Sequence, residues 1–219
     1  LTDKLHESVK TYASKICARV LEAAERRGFR GHYADNKEDA LEILLSLVPP
    51  KATIGLGGSL TVREIGGLDA LRSGDYDLVD QYKKGLSPEE AGELRRRALL
   101  CDCLVTGTNA ITHSGILVNI DGSGNRVAGL AYGPKKVVVV AGFNKIVPTV
   151  DEAISRVRNW AAPMNCLRLE SKTPCYETGL CDIEACTEPE RQCNKILLLE
   201  GDRDPDRISL VLVGEKLGL

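Results

Sequence analysis

The chain has 219 residues, 43% hydrophobic and 27% charged, and its 29 basic against 31 acidic side chains leave a formal charge of −2. That balance argues against nucleic acid as a partner, because binding a phosphate backbone needs a marked basic excess. No apolar run approaches the ~20 residues that span a bilayer, and the length suits one large domain with an embellishment.

The opening Leu1-Thr2-Asp3-Lys4-Leu5-His6-Glu7 is charged and lacks the form of an export signal. Apolar positions Leu5, Val9, Tyr12, Ile16, Val20, Leu21 and Ala24 recur at helical spacing, with Gly28 as the stop. A strand is expected over Arg30 to Ala34, then a helix over Lys37 to Val48 capped by Asn36 and ended by Pro49-Pro50. Ala52 to Leu56 reads as a strand, Gly57-Gly58-Ser59 as a turn, Leu60 to Leu71 as a helix and Tyr76 to Val79 as a strand. Ser87-Pro88-Glu89-Glu90 has the form of a capping box and starts a helix towards Leu100.

Further strands are predicted over Cys101 to Thr106, Gly115 to Ile120 and Val137 to Ala141. The four consecutive valines of the last suit a strand covered on both faces. Val150 to Trp160 reads as a helix with Trp160 as a packing anchor, and strands at Lys195 to Glu200 and Ile208 to Val213 complete the pattern. Alternation of this kind predicts an α/β domain with a parallel or mixed sheet. One domain is expected over 1–219, with 163–194 a cysteine-rich module inside it that lacks periodicity.

Polar clusters follow several of these strands, where open α/β sheets bind ligands. Gly57, Gly58 and Ser59 offer backbone N–H groups at a helix start, with Thr61 adding a hydroxyl. A tight turn needing glycine explains the same residues equally well. Thr106 ends the strand expected over Cys101 to Thr106 and Asn109 follows it, Asn125 and Arg126 follow Asp121-Gly122-Ser123-Gly124, and Asn144 and Lys145 follow the valine strand. These ten residues are expected to line a pocket for a small anionic substrate, with Arg126 as the fork that takes a carboxylate or phosphate. The three histidines show no paired metal spacing, and no Gly-x-Ser-x-Gly elbow is present.

Eight cysteines are more than a chain of this size needs as staples, and five fall between Cys166 and Cys193. Such a patch in a reducing, cytoplasmic compartment more often binds metal or does redox chemistry.

Four motifs together resemble one family: Gly57-Gly58-Ser59-Leu60-Thr61-Val62-Arg63-Glu64-Ile65-Gly66, Thr106-Gly107-Thr108-Asn109-Ala110-Ile111-Thr112, Asn119-Ile120-Asp121-Gly122-Ser123-Gly124-Asn125-Arg126 and Gly133-Pro134-Lys135-Lys136. They are similar to the lactate-utilisation (LUD) domain family. That resemblance implies a sandwich like that of ribose-phosphate isomerase and the coenzyme-A transferases, here with a C-terminal cysteine-rich insertion. Thr173-Pro174-Cys175, Thr178-Gly179-Leu180-Cys181, Cys186 and Pro189-Glu190-Arg191-Gln192-Cys193-Asn194 resemble a short LUD subfamily. This chain departs from it in the four residues Asp182 to Ala185 that separate the second and third cysteines.

The resemblance implies an iron–sulfur protein in the oxidation of a 2-hydroxy acid of the lactate type, an oxidoreductase if it is an enzyme. Cys175, Cys181, Cys186 and Cys193, with five, four and six residues between them, are the expected ligands of a [4Fe–4S] cluster. They contain no C-x-x-C knuckle, which weakens the alternative of structural zinc. Cys101, Cys103 and Cys166 are expected to be buried small apolar residues. Two other readings stay open: a non-redox protein that binds an anion and carries zinc, and a subunit that docks on an iron–sulfur or flavin partner. A homo-oligomer is compatible with each.

Overall fold

A computed structural model describes residues 2–219, so Leu1 of the opening stretch lies outside the described residues. Helix α1 (Thr2–Glu25) runs to a turn at Gly28 and into strand β1 (Arg30–Ala34). Asn36 caps α2 (Lys37–Leu47) by accepting from the Asp39 N–H, and β2 (Thr53–Leu56) follows. Where one helix is expected over Leu60 to Leu71 there are two, α3 (Leu60–Glu64) and α4 (Gly67–Ser73). Gly66, at φ 78°, adopts the left-handed conformation that ends the first and turns the chain. Strand β3 (Asp77–Val79) precedes α5 (Pro88–Arg97), and a tight turn at Ala98–Leu100 leads to β4 (Cys103–Gly107).

The second half runs β5 (Ala110–Thr112), β6 (Leu117–Asp121), α6 (Asn125–Ala131), β7 (Lys136–Gly142) and β8 (Ile146–Val147). Helices α7 (Val150–Arg156), α8 (Ala162–Leu169) and α9 (Pro174–Thr178) lead through a long loop to β9 (Lys195–Leu199) and β10 (Ile208–Val213). Between α7 and α8 the helix does not stop at Trp160; it passes through a widened π-turn at Val157–Ala161. Pro163 lacks an N–H and crowds the preceding turn, and the wider turn relieves both. Cys166 therefore sits on a continuous helical run rather than at the start of a loop. Trp160 is 55% exposed and does not anchor packing, contrary to the expectation.

The strands form two sheets. The larger is six-stranded and wholly parallel, in the order β1-β10-β7-β4-β2-β3. The smaller, β8-β5-β6-β9, is mixed. Alternate residues of β7 serve opposite faces, as the period of a strand requires. Val138 and Val140 pack with Leu44, Ile54, Leu68 and Leu71 on the side of α2 and α4. Val137 and Val139 pack with Cys17, Val20, Ile111 and Leu117, on the side of α1 and the second sheet. The fold is therefore α/β with a parallel six-stranded sheet and a small mixed one.

The apolar stripe of α1 is only half used. A 24-residue helix is about 36 Å long, whereas the five-residue β1 spans about 17 Å, so the helix overshoots the sheet. Leu5, Val9 and Tyr12 remain exposed. Helix α5 has no fully buried side chain, and a cap holds its start: Ser87 Oγ accepts from the Glu90 N–H, and the Glu90 carboxylate accepts from the Ser87 N–H. Ser87→Ala should cost about 1 kcal/mol, read as faster hydrogen exchange confined to the α5 amides.

Candidate functional site

The connections from β2 and β4, neighbours in the large sheet, diverge. β2 leads outward to the edge strand β3, and β4 leads through the second sheet to β7 on its other side. Such a switch point opens a crevice at the carboxyl ends of the strands. A cleft of about 910 Å³ lies there, between the ends of β2, β4 and β6 and a wall from the helical run and cysteine loop.

Of the ten predicted pocket residues, Gly57, Gly58, Ser59, Asn109, Asn125, Arg126 and Lys145 line this cleft. Thr61, Thr106 and Asn144 do not; each braces a residue or segment beside it. Thr61 Oγ1 accepts from Lys145 Nζ at 2.9 Å, and Asn144 Oδ1 accepts from the Leu217 N–H at 3.0 Å. Thr106 packs beneath Gly57, where a Cβ would collide with its hydroxyl. Gly58 holds φ 64°, and a Cβ there would stand 2.5 Å from the Tyr82 hydroxyl. These glycines let backbone approach side chains closely. Ser59 Oγ is committed to capping α3, accepting from the Val62 N–H at 3.2 Å. Helix α3 has only five residues, so its dipole contributes little at this turn.

Arg126 is not the free fork that its position in the sequence suggests. Its Nε and Nη2 donate to Asp121 Oδ1 at 2.9 and 2.6 Å, and Nη2 also donates to Asn109 Oδ1 at 2.6 Å and the Ile120 carbonyl at 3.1 Å. Only Nη1, with one long bond of 3.4 Å to the Gly107 carbonyl, keeps capacity for a ligand. Arg126 is mainly the post that joins β6, β4 and α6.

The cleft is nonetheless strongly cationic. Arg63, Arg95, Arg126, Lys145, Arg168, Arg191 and Lys195 line it against the carboxylates Asp121 and Glu188. Among the described residues Arg126 alone of these cations forms an ion pair. Arg63 lies 4.8 Å over the Tyr82 ring, and Arg95 Nε donates to Gln81 Oε1 at 3.1 Å. Gln81 in turn donates to the Leu56 carbonyl at 2.7 Å, which fixes this wall to the end of β2. Burial pushes the Tyr82 phenol above its usual range, while Arg63 and Arg95 pull it back. Lys145 is driven the other way: burial first, then Arg156 and Arg126, lower its ammonium to about 7, with Glu64 opposing.

Against one wall of the cleft lies a second, small cavity lined by Cys166, Cys175, Cys181, Cys186 and Cys193. All four predicted ligands meet there. Cys166, expected to be a buried apolar residue, is 1% exposed but joins them as a fifth thiol. Burial raises Cys193 and Cys166 to about 11, and neighbouring thiols add to the effect at Cys193. Cys181 and Cys186 are raised too, chiefly by burial, while Arg191 beside both and Arg158 beside Cys181 act in the opposite sense.

Five soft donors flanked by two guanidinium groups fit an anionic iron–sulfur cluster by their chemistry. Among the described residues no three His, Cys, Asp or Glu side chains are arranged around a single metal ion.

Sequence reasoning missed Gln81, Tyr82, Arg95 and Arg191. A usable signal existed for the first two, since Asp80-Gln81-Tyr82 directly follows a predicted strand. None of the helices in the described residues is long and apolar enough to cross a membrane.

The family profile described as LUD domain matches residues 17–213. Among solved structures, one described as the crystal structure of a DUF162 family protein from Deinococcus radiodurans is 17% identical, covering 92% of this chain and 98% of that one, with a TM-score of 0.48. No curated protein matches the chain.

Proposed function

The chain belongs to the LUD domain family, and from that premise we propose that it is an iron–sulfur protein that acts on a small 2-hydroxy acid of the lactate type. One observation carries this reading: Arg191, Gln192 and Cys193 line both the cationic cleft and the cysteine cavity. An organic anion held by Arg63, Arg95 and the glycine turn would lie against the same wall that holds the thiols. Cys175, Cys181, Cys186 and Cys193 would hold a [4Fe–4S] cluster, which when bound supplies one-electron transfer. Arg158 and Arg191 would offset its negative charge. Gly57 and Gly58 present backbone to the ligand, and Tyr82 and Gln81 close one side against water. An iron–sulfur or flavin partner would carry electrons onward, and thiol chemistry of this kind suits a reducing, cytoplasmic compartment.

Anaerobic purification with iron, sulfide and zinc assays tests the proposal. We expect iron and sulfide with a broad visible band, lost in Cys181→Ser and Cys193→Ser, and a changed electron paramagnetic resonance signal of the reduced protein when lactate is added. Stoichiometric zinc without sulfide after reconstitution would overturn it.

A further inference from the structure

Lys145 differs from the other cations of the cleft in that it is nearly enclosed. It is 5% exposed, yet it lines the cleft floor just beyond the end of β7. Its Nζ donates to two neutral acceptors, Thr61 Oγ1 at 2.9 Å and the Thr108 carbonyl at 3.1 Å, and it forms no ion pair among the described residues. An ammonium carries three N–H donors, whereas a neutral amine carries two and a lone pair. The two acceptors match the neutral amine and leave its lone pair unclaimed. Arg126 reaches the adjacent carbonyl of Gly107 through Nη1, so a guanidinium and an amine bracket the same two residues, Gly107 and Thr108.

We propose that Lys145 is a nucleophilic amine that condenses with a small 2-oxo acid held in the cleft. This deepens the functional reading above by naming the oxidised acid as a ligand. The carboxylate pairs with the free N–H of Arg126 Nη1, which sets the neighbouring carbonyl carbon beside Nζ. The lone pair of Nζ adds to that carbon, the carbonyl electrons pass to oxygen, and a proton from nitrogen follows to give a carbinolamine. Loss of water with the C–O electron pair leaves the imine. Amine plus carbonyl gives imine plus water, with no oxidant or reductant consumed. Thr61 and Thr108 hold Nζ in place, and water expelled from the enclosed floor favours the imine.

Burial and the neighbouring cations support the unprotonated state at neutral pH. The charged groups that face Lys145 are Arg126 from α6, Arg156 from α7 and Glu64 from α3, and the two arginines outweigh the one carboxylate.

The test uses the anaerobically purified protein, pyruvate as the probe and cyanoborohydride to trap an imine, followed by peptide mapping. We expect one adduct, on the peptide containing Lys145, at about tenfold the level of any other lysine at pH 7.5. Its yield should rise through about pH 7, whereas exposed lysines gain only near their ordinary range. Lys145→Arg and Lys145→Met should lose the adduct, and circular dichroism shows whether each keeps its fold. Labelling that follows exposure across all lysines, with none on Lys145, would overturn the proposal. So would Lys145 labelling with the pH profile of a surface lysine. Trapping requires no iron, so an adduct without bound iron retains this proposal and removes the redox one, and iron without an adduct does the reverse.

Discussion

Arg126→Met should destabilise the protein by about 3–5 kcal/mol, because the loss of one partner leaves a carboxylate buried without a counter-charge. Arg126 and Asp121 side chains are each 10% exposed, and their Nη2–Oδ1 distance is 2.6 Å. The same guanidinium serves Asn109 Oδ1 and the Ile120 carbonyl, so its removal takes a donor from two acceptors on β6 and from one in the connection between β4 and β5. Urea unfolding measures the cost. Asp121→Asn added to Arg126→Met should recover part of it, since the amide oxygen still accepts from the Val127 N–H that Asp121 Oδ2 now binds at 3.0 Å. A loss under 1 kcal/mol for Arg126→Met would mean that the pair is solvated and that Arg126 is free for ligands after all.

The second large effect concerns pH. Lys145 is lowered from 10.5 to about 7 in the folded chain, whereas the unfolded chain keeps the ordinary value. Between these limits the unfolded state binds the extra proton, so stability rises with pH. Below pH 7 both states are protonated, and the penalty for burying the charge is at its full size. From pH 7 to 9 the gain should be on the order of 2–3 kcal/mol, from about two of the units separating the two states. Buried thiols pull the opposite way at the alkaline end, since Cys17 and Cys103, pushed up to about 12, stay protonated only while folded. The difference between wild type and Lys145→Met cancels them. Urea unfolding of both at pH 7, 8 and 9 should show wild type gaining on the variant by that amount. A flat difference would mean that Lys145 stays charged in its buried place.

Most of the longer helices and strands and the caps were legible from residues alone, because periodicity and capping depend on near neighbours, whereas the short elements α6, α8, α9, β5 and β8 were not. The valine run of β7 announced a strand covered on both faces, and Ser87-Pro88-Glu89-Glu90 announced its own helix start. Polar residues after strands pointed to the end of the sheet where the cleft opens, since parallel strands bring their carboxyl ends to one side. The motif combination was enough to indicate the family.

What each residue does there was decided only by the tertiary structure. Strand order alone brings Gln81 and Tyr82 of the β3 end beside the glycine turn of β2, and no local pattern encodes strand order. Arg126 looked like a ligand fork because nothing in the local sequence marks Asp121, five residues earlier, as its partner. The fold turns both inward, where an unpaired charge is too costly to leave. Cys166 is buried as expected, but its place beside the other thiols was not legible, because it falls outside the family-like cysteine stretch. The helical run through the π-turn at Pro163 carries it to the other four thiols. Lys145 and Thr61 are separated by 84 positions in the chain, and only the packing of β7 against α3 makes them a bonded pair. Local periodicity determined the elements, but side-chain chemistry depends on burial and charge, which many distant residues set together.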